Sequence, residues 1–66
     1  MDIRDVVKER RRVLGISQLD LAEMAGISLA TVKDIERGVA NPSMKTVARI
    51  LEVLGLEMEF RIRQIE

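Results

Sequence analysis

The sequence predicts an all-α fold, a compact bundle of four short helices, with a single β-strand appended at its C-terminal end. Two observations carry the helices. Four segments set apolar residues at helical spacing, and each lies between an Asp or Ser suited to capping a helix N-terminus and a glycine suited to ending it. A third observation carries the strand: after Gly55 the apolar period drops from about 3.6 residues to 2. The predicted division is a helical domain over residues 1–55 and a strand over residues 56–66.

The first helix starts from an Asp2 cap and runs to about Leu14, with Ile3, Val7 and Leu14 on one face and Gly15 as its stop. Ser17 caps the second, and Asp20 stands where a capping box needs an acceptor; this helix ends near Ala25, before Gly26. Ser28 caps the third, which runs to Arg37 with Val32 and Ile35 turned inward and Gly38 closing it. Asn41-Pro42-Ser43 is a turn that supplies another cap, and the fourth helix sets Met44, Val47, Ala48, Leu51 and Leu54 at helical spacing. In the strand, Leu56, Met58, Phe60 and Ile62 alternate with Glu57, Glu59, Arg61 and Arg63.

A chain of 66 residues forms one small domain, and such a domain buries only about 60% of the surface its unfolded chain exposes. Further stability has to come from elsewhere. The chain has no cysteine and no histidine, which excludes disulfides and His/Cys zinc sites and leaves oligomerisation as the route. No apolar run approaches the roughly 20 residues of a membrane span, and the N-terminus is charged from Asp2 onward, so no membrane association and a cytoplasmic location are expected. Enzymatic chemistry lacks its groups: there is no His, Cys or Tyr and no glycine-rich phosphate loop, and the carboxylates are scattered over polar faces. No cofactor and no metal are expected.

Formal net charge is zero, so the distribution of charge decides what the surface attracts. Residues 1–12 carry five basic and three acidic side chains, residues 28–49 four basic and two acidic, and the segments between and after them are net acidic. A surface that binds nucleic-acid phosphates would combine the first and third segments. Ser17 to Gly38 is a short capped helix, a glycine turn and a second short capped helix. Two helices cross this closely when the first offers a small residue and the turn tolerates positive φ, which Ala22 and Gly26 provide, with Ile27 and Val32 as the locking contacts. That is a helix-turn-helix. With Val32 and Ile35 buried, Leu29, Ala30, Lys33, Asp34 and Arg37 fall on the outer face. A merely solvated helix would look much the same on these residues alone.

The wider string Ile16-Ser17-Gln18, Leu21-Ala22-Glu23, Ala25-Gly26-Ile27-Ser28, Thr31-Val32, Ile35-Glu36-Arg37-Gly38 and Asn41-Pro42-Ser43 resembles the lambda-repressor/Cro-type (XRE-like) helix-turn-helix family over roughly residues 3–55. The resemblance implies a regulator that binds double-stranded DNA in the major groove. It implies that Gln18 meets a backbone phosphate and that Ser28, Leu29, Ala30, Lys33 and Asp34 lie at or near base edges. Thr31 belongs to the same DNA-binding set, and Arg37, Asn41, Ser43 and Lys45 would meet phosphates on the flanking strand. Helix N-termini suit such contacts, since their free N–H groups face anions. The chain departs from the family's usual pattern at Leu29 and Ala30, where polar side chains are common, so readout would rest on thymine methyls and Lys33. Asp34 repels phosphates, and either accepts from a cytosine amino group or pairs with Lys33 or Arg37.

Arg11 lies four residues after Val7 and three before Leu14, on the core stripe of the first helix. A charge there needs a partner, and Glu36, next to the buried Ile35, is the natural one; the alternative is that Arg11 snorkels to solvent or phosphate. The resemblance implies the same Arg11–Glu36 bridge. Arg10 and Arg12 read as ordinary solvated charges, the alternative being that one of them reaches DNA.

Antiparallel pairing of two copies about Phe60 sets Glu57 opposite Arg63, Glu59 opposite Arg61 and Met58 opposite Ile62, whereas parallel pairing opposes like charges. The strand is therefore expected to build a twofold homodimer, its Leu56, Met58, Phe60 and Ile62 face turned down onto the helices. Two recognition helices would then lie about 34 Å apart on a palindromic operator. A disordered tail, or a strand lent to another protein, are the alternatives. Val7-Lys8-Glu9-Arg10-Arg11-Arg12, Leu14-Gly15 and Leu54-Gly55-Leu56-Glu57 also resemble the HipB-type antitoxin branch of the family. That resemblance implies pairing of C-terminal strands, autorepression and a kinase-fold toxin as partner. A protein-interaction module, with DNA binding secondary, is the rival function.

Overall fold

The computed structural model describes residues 2–64; the first residue of the predicted helical domain and residues 65 and 66 of the predicted strand lie outside the described residues. Four helices follow in order: α1 (Ile3–Leu14), α2 (Gln18–Ala25), α3 (Leu29–Arg37) and α4 (Met44–Leu54). Each begins where a side chain replaces a hydrogen-bond partner that the first turn lacks. Asp2 accepts from the backbone N–H of Arg4, and Ser17, Ser28 and Ser43 accept from those of Asp20, Thr31 and Thr46. Each ends at a glycine, and the next residue donates its N–H back to a last-turn carbonyl: Ile16 to Arg11, Ile27 to Ala22, Val39 to Asp34 and Leu56 to Leu51. At Gly26 φ is +69°, a conformation that disfavours any side chain by about 1–2 kcal/mol. The glycine lets the chain leave α2 and enter α3 across three residues.

Both α1 and α2 pack on α3 and α4. Val7 of α1, Leu21, Ala22 and Ala25 of α2, Val32 and Ile35 of α3, and Ile50 and Leu54 of α4 form one core. The two alanines leave α2 close enough to α3 for Ile27 in the turn to pack on the same cluster. Leu21, Ile35, Ile50, Leu54, Val7 and Val32 are fully buried, and each contributes about 1.5–3 kcal/mol relative to exposure. Among the described residues no helix is long and apolar enough to cross a membrane.

Several expectations are corrected by this packing. Leu14 and Met44, expected on the core stripe, are 43% and 61% exposed, because each occupies an end of its helix that overhangs the core. Ala48 is exposed as well, and Ile50 takes the place expected for it: Val47, Ile50, Leu51 and Leu54 form the buried face of α4. The C-terminal strand is absent among the described residues. Residues 56–64 carry no ladder, since the helices offer no edge and a strand needs a partner for its N–H and C=O groups. Of the face expected to lie on the helices, Leu56 packs against the core, Met58 is half-covered, and Phe60 and Ile62 stand 82% and 98% exposed.

Candidate nucleic-acid interface

The surface that the sequence singles out lies where the N-terminus of α2 meets the outer face of α3. Gln18, Ala30, Lys33, Asp34 and Arg37 line a shallow concave patch there. Gln18 enters it because the Ser17 cap ends just before it and fixes where the helix starts. That cap is a complete box: Ser17 Oγ accepts from the Asp20 N–H at 2.9 Å, and the Ser17 N–H donates to Asp20 Oδ2 at 3.0 Å. The backbone hydrogen bond from Ser17, then that from its hydroxyl, holds the Asp20 carboxyl below its ordinary value. The box uses the N–H groups of Ser17 and Asp20; those of Gln18 and Leu19 have no partner among the described residues.

On α3, Ala30, Lys33 and Arg37 are exposed and Asp34 is half-buried. Arg37 donates to Asp34 one turn back, so Asp34 takes the pairing alternative within the free chain. Lys33 has no acidic partner within salt-bridge distance among the described residues. The hydroxyls of Ser28 and Thr31 are 2.8 Å apart and both belong to the cap of α3. Leu29 departs from expectation. It is half-buried and packs against the core, because it stands three residues before Val32 on the same helical face. Asn41, Ser43 and Lys45 are exposed in the α3–α4 connection and the first turn of α4, outside the concave patch. Ser43 Oγ is committed to Thr46, both as acceptor and as donor.

Behind the patch sits the ion pair. Arg11 Nε donates to Glu36 Oε2 at 2.8 Å and Nη2 to Oε1 at 2.9 Å, a two-point contact that ties α1 to α3. Nη1 also donates to the Ile16 carbonyl at 3.0 Å. The side chains are 14% and 2% exposed, so neither charge is left to bulk water. Burial opposes ionisation of Glu36 most strongly. The hydrogen bonds from Arg11 and Gln18 and the charges of Arg11 and Lys8 together outweigh it and hold the carboxyl below its ordinary value. The Arg11 guanidinium is raised, chiefly by its hydrogen bond to Glu36.

Two contacts were not legible beforehand. Gln18 Nε2 donates to Glu36 Oε1 at 3.2 Å, joining the patch to the ion pair. Arg10, expected to be a solvated charge, donates from Nε to the Leu54 carbonyl at 2.9 Å and closes the C-terminal end of α4. An arginine one position off the core stripe and a carbonyl before a helix-ending glycine was the only signal for it.

The capped helix pair, the glycine turn and the polar patch define a helix-turn-helix protein. A family model described as "Helix-turn-helix" matches residues 7–60. An uncharacterized HTH-type transcriptional regulator of Methanothermobacter thermautotrophicus is 36% identical over 55 residues, 83% of this chain and 80% of that protein. The immunity repressor protein of Bacillus phage phi105 is 33% identical over 88% of the chain, and the HTH-type transcriptional regulator DdrOP3 of Deinococcus deserti 29% identical over all of it. The chain spans 40% and 51% of those last two proteins. The chain belongs to the lambda-repressor/Cro-type (XRE-like) helix-turn-helix family.

Proposed function

We propose that this chain is a DNA-binding transcriptional regulator of the cytoplasm, a repressor and not an enzyme, that sets α3 in the major groove of a palindromic operator as a homodimer. The observation that carries the reading is the concave patch in which Gln18 at the start of α2 stands beside Ala30, Lys33, Asp34 and Arg37 of α3. It offers a donor amide and free backbone N–H groups for phosphate, a cation for guanine or thymine acceptors, and a small apolar residue for a thymine methyl. Ser28, Leu29 and Thr31 shape the leading end of α3, and Asn41, Ser43 and Lys45 flank the phosphates beyond Arg37. Residues 1–55 are the DNA-binding domain and residues 56–66 the dimerisation strand, formed only when two tails pair. The names of the relatives, transcriptional regulators and an immunity repressor, support the regulatory role.

The second reading is an interaction module that neutralises a kinase-fold toxin or another protein, favoured by the exposed Phe60 and Ile62. Selection from random duplexes at graded salt separates the two. A palindromic site with half-sites about 10 base pairs apart, and affinity falling steeply with salt, is expected. Changing Lys33 and Arg37 together to Ala should lower affinity at least tenfold while leaving the dimer intact, because two contacts are lost. Recovery of no motif at any salt overturns the DNA reading in favour of the second.

A further inference from the structure

We propose that Glu36, held by Arg11, is a positioning residue for DNA binding, fixing the Gln18 carboxamide against phosphate; this rests on the DNA reading above. The buried carboxylate accepts all three of its hydrogen bonds from groups on other elements. Two come from Arg11 of α1 and one, at 3.2 Å, from Gln18 Nε2 at the first position of α2. A carboxylate only accepts, so the amide must turn its nitrogen inward; the opposite orientation would set carbonyl against carboxylate. One N–H is thereby spent on Glu36 and the other has no partner among the described residues; the backbone N–H groups of Gln18 and Leu19 have none there either.

The same pair holds the other side of that corner. Arg11 Nη1 donates to the Ile16 carbonyl at 3.0 Å, two residues before Gln18, so the loop entering α2 and the first side chain of α2 are both anchored to it. Stability alone does not call for such an arrangement. A buried ion pair is often matched or exceeded in stability by apolar side chains of similar volume. What apolar residues lack is a fixed acceptor for Gln18. A glutamine at the start of a helix is otherwise free to rotate, and ordering it on binding opposes association.

The test is a double-mutant cycle in duplex affinity, with Arg11→Met/Glu36→Leu on one side and Gln18→Ala on the other. The apolar pair fills the site without leaving a lone buried charge, and far-UV circular dichroism and a urea midpoint establish that it folds. Expected are a loss of about tenfold for Gln18→Ala in the native background, a comparable loss for the apolar pair, and no further loss when the two are combined. Equal Gln18→Ala losses in both backgrounds overturn the proposal, since a purely structural pair would act independently of Gln18. A second readout needs neither DNA nor a variant. In the wild-type chain the Gln18 side-chain amide resonances should shift as Glu36 is titrated with acid, and an amide insensitive to that titration also overturns the proposal. If no duplex binds while the amide does follow Glu36, the DNA reading fails and the proposal's claim on DNA falls with it, the hydrogen bond alone surviving.

Discussion

Glu36 is the buried acid among the described residues, and its chemistry makes a stability that depends on pH. Its folded-state carboxyl lies below the ordinary value, because the hydrogen bonds from Arg11 and Gln18 and the charges of Arg11 and Lys8 overcome burial. The unfolded chain, with its carboxyl near about 4.3, takes up the proton more readily than the folded chain does. Acid therefore favours unfolding. The contribution is complete above the ordinary carboxylate range and is lost as pH falls through the lower folded-state value. Glu36→Gln should lower stability by about 3 kcal/mol at neutral pH by leaving Arg11 without its counter-charge, against a total of about 3–10 kcal/mol for a domain of this size. Urea unfolding should show that deficit shrinking as the pH drops below about 4. A deficit constant from neutral pH to about pH 3 would mean that the ionised carboxylate is not what the fold uses. The partner of Arg11 was legible in the sequence, since a charge on an apolar stripe needs one. Gln18 was not, because a polar residue at an exposed helix start has no obligation that spacing can reveal.

Helix limits were read from the sequence with little error, since each rests on a local pair of signals, a capping side chain and a closing glycine. Faces were read less well. Leu29, expected on the outer surface, packs on the core with Val32, and Ile50, in the place expected for Ala48, completes the i, i+3, i+4, i+7 pattern of Val47, Leu51 and Leu54. Spacing held both answers. What it could not give is how far each helix overhangs its neighbours, which is why Leu14 and Met44 are exposed. The closing glycines also yield a comparison between elements. Gly26 and Gly38 have φ of +69° and +76°; a Cβ at Gly26 would meet nothing within 4 Å, whereas one at Gly38 would lie 2.8 Å from Arg4 Nη1. Arg4 is the far end of a flexible, half-exposed side chain engaged with Asp2 and Asp5, so it can move aside. Gly26→Ala and Gly38→Ala should each destabilise by about 1–2 kcal/mol, the backbone term alone. Urea midpoints that separate the two by more than about 1 kcal/mol would show that the Arg4 contact is rigid.

At the scale of the molecule, the tail is where apolar side chains are left uncovered by the helices. Phe60 and Ile62 stand 82% and 98% exposed, and Arg61 pairs locally with Glu59 at 3.3 Å. Alternation of apolar and charged residues was visible in the sequence, but a strand needs a second backbone as well, and none is formed among the described residues. A second copy would supply the ladder. Antiparallel pairing about Phe60 then opposes Glu57 to Arg63 and Glu59 to Arg61, with each pair repeated by the twofold axis. Opposed charges contribute roughly 0.2–1 kcal/mol each, and like charges oppose pairing by a similar amount. Arg61→Glu/Arg63→Glu should therefore shift sedimentation equilibrium toward monomer and lower the dependence of Tm on protein concentration. Adding Glu57→Arg and Glu59→Arg to the same chain restores opposite charges at each pair and the native net charge, and should bring the dimer back. Two variants of equal net charge separate register from net charge: Glu57→Arg/Arg63→Glu keeps opposite signs at both opposed pairs and should dimerise, whereas Glu59→Arg/Arg63→Glu sets like signs at positions 57 and 63 and at positions 59 and 61 and should not. A parallel pairing opposes each position to itself, so both of these variants would then carry the same like-charge pairs and would dimerise equally. A dimer from Glu57→Arg/Arg63→Glu but not from Glu59→Arg/Arg63→Glu, together with palindrome binding by the first, would thus fix both the register of the tails and the twofold relation of the two α3 helices.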